Sequence, residues 1–350
     1  MEDLQKIENT GPAASTGCIA CGSIAVLKGY PNDLCESCRE NYTRLSIPKG
    51  IIIFGVAIGL IFLFSIYKIP KNILLGIHLD KGQTAIQEKR YLTAQRELQK
   101  VAGKMPTDLE VQSDLLIASF YNEDYETLAK TAALVSGKNY EDAELFSKVD
   151  GIMKQAGNYF LSDSLTAMLG NYNNDLSKVP DKALKEYIDK NKDELYPKTE
   201  LANRLFDAKS YTAADSVLSN ILFADPGYLP ALDMMTSVKR IEEKPDESIM
   251  YCDKILALNK ESVYAMASKV RTLLKQKKDA EAMDLALKCY HLDENNTYSA
   301  GSLVLAYHFT NKTKERDDLL NKTASKKDSS AIVVMQYIKD VISGKETFRN

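Results

Sequence analysis

The sequence predicts an all-α protein: a solenoid of helix pairs, preceded by a small metal-binding module and a single transmembrane helix. Three observations support this prediction: two closely spaced cysteine pairs near the N-terminus, an uncharged apolar run after them, and similar segments that recur at a constant interval in the C-terminal half. The composition, 45% apolar and 27% charged, is that of a chain that folds around a packed core.

The first cysteines of the chain, Cys18, Cys21, Cys35 and Cys38, form the pattern C-x2-C-x13-C-x2-C. Two residues between thiols let both sulfurs of a pair reach one ion, and two such pairs complete a tetrahedral site. Gly22 follows the first pair, where the backbone must turn tightly. The second pair opens the stretch "CESCRENYTRL", whose charged residues suit a short helix.

This segment resembles zinc-ribbon and treble-clef modules, in which the last ligand pair lies at the start of a helix. The resemblance implies a zinc module at residues 18–46, after a disordered N-terminus at 1–17. The Zn2+ would be structural, because four cysteines leave no coordination position open for water. Two alternatives stay open: a pair of disulfides in an oxidising compartment, or a redox-active C-x-x-C.

The apolar run from Gly50 to Tyr67 contains no charged residue and lies between Lys49 and Lys68. As a helix it would rise roughly 27 Å, close to the roughly 30 Å of a bilayer core. We therefore predict a transmembrane helix at residues 50–68; the alternative is a buried core helix. Gly55 and Gly59 form a G-x-x-x-G, a spacing that lets two membrane helices pack closely, so a homodimer is a further expectation.

Basic residues flank the apolar run equally on both sides, so charge does not decide its orientation. Zinc thiolates persist where thiols are kept reduced, which favours a cytoplasmic N-terminus. The prediction is a single-pass protein of the inner or cytoplasmic membrane whose repeat domain is extracytoplasmic, and periplasmic in a bacterium. The alternative is the reverse orientation, with the repeats in the cytoplasm.

The recurring segments "NILFADPGY", "KILALNKES" and "KCYHLDENN" end at Tyr228, Ser262 and Asn296. Their period and pattern resemble the tetratricopeptide repeat (TPR), a helix-turn-helix unit of about 34 residues. The small position of the family's second helix is matched in all three repeats, by Ala214, Ser248 and Ala282. Only the first of them keeps the closing proline, Pro226. The alternative is an all-α domain with unrelated packing.

The predicted repeat domain covers residues 75–343. Its units are 75–108, 109–142, 195–228, 229–262, 263–296 and a weaker 297–330, followed by a terminal helix. The two runs of repeats are out of phase, which predicts about one extra helix between Ala143 and Glu194. Stacked helix pairs bury one continuous core, and the first helices line a concave groove.

The resemblance places four residues in that groove: Asn203, Arg240, Arg271 and Lys275. In some family members Asn, Lys and Arg side chains clamp the terminal carboxylate of a peptide, since a charged fork offers several donors. The implied partners are proteins or peptides. The alternative for each residue is a solvated surface position.

Cys252 and Cys289 fall on the second helices of adjacent repeats. Two interpretations stay open, a disulfide between them or free thiols packed as small apolar residues.

No nucleophile, metalloprotease or phosphate-loop motif appears, and there are only three histidines. The net charge of −3 removes the electrostatic reason to expect a nucleic acid. The sequence predicts a membrane-anchored interaction scaffold or adaptor without catalytic activity. The alternatives are a cytoplasm-facing TPR receptor for peptides or assembly factors, and an enzyme with an undetected active site.

Overall fold

The computed structural model of the protein describes residues 17–43, 48–324 and 329–349, with the backbone alone at 66–72 and 329–331. The predicted disordered N-terminus lies outside these residues except for Gly17. The chain divides into two compact units, Met1–Asn72 and Ile73–Asn350. Every regular element in the described residues is helical, which confirms the all-α prediction.

The helices are, in chain order, α1 (Glu36–Thr43), α2 (Lys49–Gln87), α3 (Tyr91–Ala102), α4 (Leu109–Tyr121), α5 (Tyr125–Val135), α6 (Ala143–Ala156), α7 (Asp163–Leu169), α8 (Asp181–Lys190), α9 (Tyr196–Asp207), α10 (Tyr211–Ala224), α11 (Leu229–Ile241), α12 (Pro245–Leu258), α13 (Val263–Lys275), α14 (Asp279–Leu292), α15 (Thr297–Phe309), α16 (Thr313–Ala324) and α17 (Ser329–Ile342). Three single 3-10 turns accompany α6–α8: Gly157–Tyr159, Gly170–Tyr172 and Leu176–Lys178.

The apolar run lies in α2, and its described side chains from Ile51 to Phe64 are mostly exposed. No helix among the described residues is both long and apolar enough to cross a membrane. This finding contradicts the predicted single-pass protein with a cytoplasmic N-terminus and periplasmic repeats. The expected homodimer through Gly55 and Gly59 assumed that this helix lies in a membrane, so the homodimer is no longer supported.

The helices from α9 onward form pairs whose first members begin at Tyr196, Leu229, Val263 and Thr297, close to the predicted repeat starts. Each pair is joined by a turn with one residue in the left-handed region. These residues have φ between 58° and 60° and recur at the repeat period within each of the two runs: Lys89, Glu123, Lys209, Glu243, Lys277 and Asn311. The all-α solenoid of helix pairs, TPR-like in its period, is therefore confirmed.

The first helices of several pairs begin with a side chain that caps the helix. Asp108, Ser262 and Asn296 each accept a hydrogen bond from a backbone N–H three residues later. Such caps satisfy donors that the first helical turn leaves without an intrahelical partner. Leu116, Leu218 and other fully buried apolar residues then form the core between successive pairs.

The segment between the two runs of repeats differs from the prediction of about one helix. It contains α6, α7 and α8, and its own small core includes Leu165, Leu184 and Tyr187. This segment also contacts the later repeats, because the Tyr228 hydroxyl donates to the Asn158 carbonyl at 3.0 Å. The helix pairs recur at the repeat period on either side of this segment, but the helices within it do not follow that period.

Within the second unit the first helix pairs close onto α12–α14. The backbone N–H of Lys260 donates to the Lys89 carbonyl at 2.8 Å, and Asn259 Nδ2 donates to the Tyr121 carbonyl at 3.0 Å. Thr93 donates to the carboxylate of Glu261 through its backbone N–H at 2.8 Å and its hydroxyl at 2.9 Å. These contacts join residues far apart in the sequence, so the solenoid is closed on itself rather than an open arc.

The last described residues fold back onto the solenoid. Phe348 is buried against Phe309, and Arg349 Nη1 donates to the Leu274 carbonyl at 2.7 Å. Arg349 also forms an ion pair with Asp279, with Nη2 at 3.0 Å from Oδ2. The tail is thereby held at the turn between α13 and α14.

Candidate functional site

The four cysteines of the first unit come together in space. Their sulfur atoms all lie within 4.8 Å of one another, and all four thiols are free. Two local features produce this arrangement. Gly22 has φ of +73° and its N–H donates to the Cys18 carbonyl at 2.8 Å, which turns the chain after the first pair. Helix α1 begins at Glu36, directly after Cys35, which places Cys38 in its first turn.

The sulfur spacing fits one tetrahedral metal ion. Zinc–sulfur bonds of about 2.3 Å in a tetrahedron place the sulfurs about 3.8 Å apart. Cys21 and Cys35 have their sulfurs at 3.6 Å, and the remaining pairs lie within the 4.8 Å limit. The four cysteines are thus close enough to bind a metal ion, as the sequence predicts.

The thiols of this cluster do not have ordinary pKa values. A hydrogen bond from the Cys35 backbone lowers the pKa of the Cys18 thiol to about 6. Hydrogen bonding with the Cys21 thiol and then with Cys35 raises the pKa of Cys38 to about 12. Neighbouring thiols cannot all carry negative charge, whereas a bound cation stabilises every thiolate.

The second unit contains a cavity of about 470 Å³. Most of its walls come from the first helices of four successive pairs: Asn203 and Phe206 of α9, Asp233, Met234, Thr236 and Ser237 of α11, Tyr264 and Ser268 of α13, and Tyr298 of α15. The remaining wall is Glu123 and Tyr125, at the turn between α4 and α5. Closure of the solenoid therefore turns part of the groove into a pocket.

The structure places the four predicted groove residues as follows. Asn203 lines the cavity of about 470 Å³. Arg240 and Lys275 line a neighbouring cavity of about 420 Å³, to which Arg349 of the C-terminal tail also contributes. Arg271 lies between α13 and α15, where its Nε donates to the hydroxyl of Ser302 at 3.0 Å. The four residues share one face of the helix pairs without forming a single cluster.

Two of these residues are buried cations rather than solvated surface charges. Arg240 is 9% exposed and Arg271 is 7% exposed. Arg240 Nη1 donates to the Ser268 hydroxyl at 2.8 Å, and the Arg271 guanidinium lies 3.9 Å from the centre of the Tyr298 ring. Among the described residues neither guanidinium forms an ion pair with a carboxylate, and Arg271 Nη2 is buried without a hydrogen-bond partner.

These guanidinium groups change the electrostatics of the cavity wall. Burial raises the pKa of Tyr298, but the charges of Arg271 and then Arg240 outweigh it and lower that pKa. Burial in turn lowers the pKa of Arg271. Buried charges in proteins are normally paired, so this side of the groove lacks a negative partner among the residues described.

On another wall of the cavity two carboxyl groups face each other. Burial raises the pKa of Glu123, and burial together with the nearby charge of Glu123 raises the pKa of Asp233 well above its ordinary value. The Tyr125 hydroxyl donates to Glu123 Oε2 at 3.3 Å. No ion pair to either carboxylate occurs in the part of the chain that the structure describes.

Sequence reasoning did not identify this acidic pair. Glu123 and Asp233 come from different runs of repeats and meet only because the solenoid closes. One signal was available: Tyr264 and Tyr298 occupy equivalent positions of successive repeats, and their rings stack with centres at 5.9 Å. Large polar aromatics repeated on the groove side of first helices indicate a binding surface rather than core.

Cys252 and Cys289 are both buried and both free. Burial raises the pKa of Cys252 to about 12 and that of Cys289 to about 11. Of the two interpretations of these residues, the structure shows free thiols packed in the core.

Comparison with known proteins does not place the chain in a family. No protein-family model matches it, and no curated protein matches it in sequence. Similar solved structures include YrrB, described as a TPR protein with an unusual peptide-binding site, at 17% identity and a TM-score of 0.34; the match covers 47% of this chain and 86% of YrrB.

Two yeast structures are also similar. Yeast Tom70 has 14% identity and a TM-score of 0.37, and the match covers 77% of this chain and 67% of Tom70. The TPR2AB domain of yeast Sti1, in a complex with pHSP90, has 14% identity and a TM-score of 0.30, with 69% and 99% covered. At such low identities and TM-scores, what these proteins bind does not transfer to this chain.

Proposed function

We propose that the protein binds a peptide or protein segment through the concave face of its helix pairs, and that Arg240 and Arg271 hold an acidic group of that partner. The observation that carries this proposal is the burial of both guanidinium groups without an acidic partner among the described residues. A buried charge costs free energy until it is paired, so a carboxylate entering the groove replaces what the chain itself lacks.

The terminal carboxylate of a peptide suits this site best. A guanidinium binds a carboxylate through two parallel hydrogen bonds, and Arg271 Nη2 is without a partner. Lys275 lines the same cavity as Arg240 and adds a donor there, whereas Asn203 lines the cavity of about 470 Å³. Binding would then follow from charge and shape alone, with no reaction catalysed by the groove.

The test uses a pool of N-acetylated hexapeptides of random sequence, prepared once with free C-terminal carboxylates and once as C-terminal amides. Each pool is passed over the immobilised full-length protein, and retained peptides are measured by mass spectrometry. We expect the carboxylate pool to be retained and the amide pool to pass through. Equal retention of both pools, or no retention, would overturn the proposal.

Variants locate the binding to the groove. Arg240→Gln and Arg271→Gln should each reduce retention about tenfold or more, since hydrogen bonds to charged groups are among the strong ones. Arg204→Gln is the matched control, because Arg204 also lies on a first helix but is already paired with Glu200 and Asp181. Thermal melts establish that all three variants fold.

We propose further that the metal held by the four cysteines is a structural Zn2+. Its support is the tetrahedral sulfur spacing and the all-thiolate donor set, which zinc favours and which leaves no site for a reacting water. The metal would join the start of α1 to the turn at Gly22 that follows the first cysteine pair. The module has few buried apolar residues besides Leu34. A metal supplies stability that so small a core lacks.

Elemental analysis by mass spectrometry tests the zinc site. The purified protein should contain one zinc per chain, and Cys38→Ser should contain none. Cys252→Ser is the control, because Cys252 is also a free cysteine but belongs to the second unit. Full zinc content in Cys38→Ser, or another metal in the unaltered protein, would refute this assignment.

A further inference from the structure

The groove differs in charge along its length: Glu123 and Asp233 line the cavity of about 470 Å³, whereas Arg240 lines the neighbouring one. Along α11, Asp233, Ser237 and Arg240 follow one another at helical spacings of four and three residues, so they lie on one face. Seven residues of helix rise about 10 Å. Asp233 is therefore about 10 Å along the helix from the guanidinium that we assign to the partner's acidic group.

At the Asp233 end the cavity has negative charge and, among the described residues, no cation. Glu123 reaches this point from the turn between α4 and α5, and it does so from a left-handed backbone conformation with φ of +58°. Surface carboxylates elsewhere in the second unit are commonly paired, for example Glu126 with Lys130 at 2.5 Å. In the described residues Glu123 and Asp233 have only each other and the Tyr125 hydroxyl.

The walls around the two carboxyl groups are aromatic. Tyr125, Phe206, Tyr264 and Tyr298 line the same cavity. The faces of aromatic rings carry partial negative charge, so they attract ammonium and guanidinium groups. A pocket with two carboxyl groups and several rings is complementary to an alkylammonium or guanidinium side chain, whose stem packs on the rings while its head is bound by the carboxylates.

An independent observation also points to a ligand. Arg271 is only 7% exposed, it stacks on the ring of Tyr298 that forms a cavity wall, and its Nη2 has no hydrogen-bond partner. Groups of both signs thus line one groove without neutralising each other.

We propose that the cavity binds a basic side chain, lysine or arginine, of the same peptide whose acidic group Arg240 and Arg271 hold. The cationic head lies between the carboxyl groups of Glu123 and Asp233, and the distance to the acidic group corresponds to about three extended residues. This inference rests on the proposed function and adds the charge pattern of the partner: a basic residue shortly before an acidic terminus.

The direct probe is n-butylammonium chloride, which carries the head and stem of a lysine side chain and no acidic group. Its binding to the full-length protein is measured by saturation-transfer NMR, with n-butanol as the uncharged counterpart at equal ionic strength. We expect n-butylammonium to bind and n-butanol not to bind. Equal signals from the two compounds would overturn the inference.

Glu123→Gln and Asp233→Asn should each weaken n-butylammonium binding about tenfold or more, because each removes one of the two carboxyl groups that would bind the ammonium. Glu126→Gln is the matched control, since Glu126 lies three residues from Glu123 and its side chain is 80% exposed. Variants that bind n-butylammonium as well as the unaltered protein does would refute the site.

The hexapeptide pool separates this inference from the proposed function. Retained peptides should be enriched in lysine or arginine two to three residues before the C-terminus, and Asp233→Asn should abolish that enrichment while retention still requires the carboxylate. Retention without any basic preference overturns the inference and leaves the proposed function intact. Binding of n-butylammonium without retention of peptides overturns the proposed function instead.

Discussion

The left-handed residues in the helix-pair turns allow a stringent test of the repeat geometry. Lys209 has φ of 58° between α9 and α10, and its side chain is exposed. Its N–H donates to the Phe206 carbonyl at 2.9 Å, and the next N–H, of Ser210, donates to the Leu205 carbonyl at 2.8 Å. This hydrogen-bonded C-terminus is one in which glycine is usually found at the left-handed position.

The substitution Lys209→Gly should therefore stabilise the second unit. A residue with a Cβ atom in the left-handed region costs about 1–2 kcal/mol, which glycine does not incur. Glycine also loses more backbone freedom on folding, which offsets about 0.5–1 kcal/mol of this gain. The expected net effect is a rise of about 0.5–1 kcal/mol in the free energy of unfolding, or about 1–4 °C in the melting temperature.

Ala208→Gly is the matched control, because Ala208 precedes Lys209, is also exposed, and has φ of −75°. There glycine brings its entropic cost without relieving strain, so this variant should be less stable by about 0.5–1 kcal/mol. Both variants are compared by urea unfolding followed by circular dichroism. A destabilised Lys209→Gly variant, or equal effects at the two positions, would show that the left-handed turn is not formed as described.

Two further predictions concern buried positions. Burial raises the pKa of Asp114 from 3.8 to about 6, so this residue's contribution to stability is complete below pH 4 and is lost as the pH rises through 6. Asp114→Asn should thus increase the free energy of unfolding by on the order of 1–3 kcal/mol at pH 7 and have little effect at pH 4, which urea unfolding at the two pH values measures. At Gly301 an added Cβ would lie 2.5 Å from Ile338 Cδ1 on α17, so Gly301→Ala should destabilise the unit by about 1–3 kcal/mol. Gly157→Ala, where an added Cβ would meet no atom beyond its own stretch of chain within 4 Å, should be close to neutral in the same thermal melts, and an equal loss at both glycines would contradict this packing.

The features that the sequence predicts correctly are those encoded by nearby residues. Cys18 and Cys21 are brought together by one turn at Gly22, and the second pair by the start of a helix. The helix pairs from Tyr196 onward follow from apolar residues at helical spacing and from the constant repeat period. In both cases a local pattern determines local structure.

The features that the sequence does not predict depend on contacts between distant residues. Nothing near Thr93 indicates that it will bind Glu261, yet this contact helps close the solenoid and brings Glu123 to Asp233. The prediction for the segment between the two runs fails for a related reason: the apolar residues of α7 and α8 pack in a core with α9, which imposes no repeat period. The apolar run in α2 illustrates the converse error, in which composition alone suggested a membrane helix.

The balance between stability and binding provides a last test of the groove. A half-buried acidic pair without a cation destabilises a fold, and side chains kept in spite of such a cost are expected at functional sites. Asp233→Asn removes one of the two ionisable groups of this pair while preserving shape, so it should raise the free energy of unfolding by on the order of 1–3 kcal/mol at pH 7. The same variant should lose binding of n-butylammonium. If Asp233 instead has a purely structural role, the substitution will lower stability in urea unfolding, and binding will be lost only to the extent that the fold is lost.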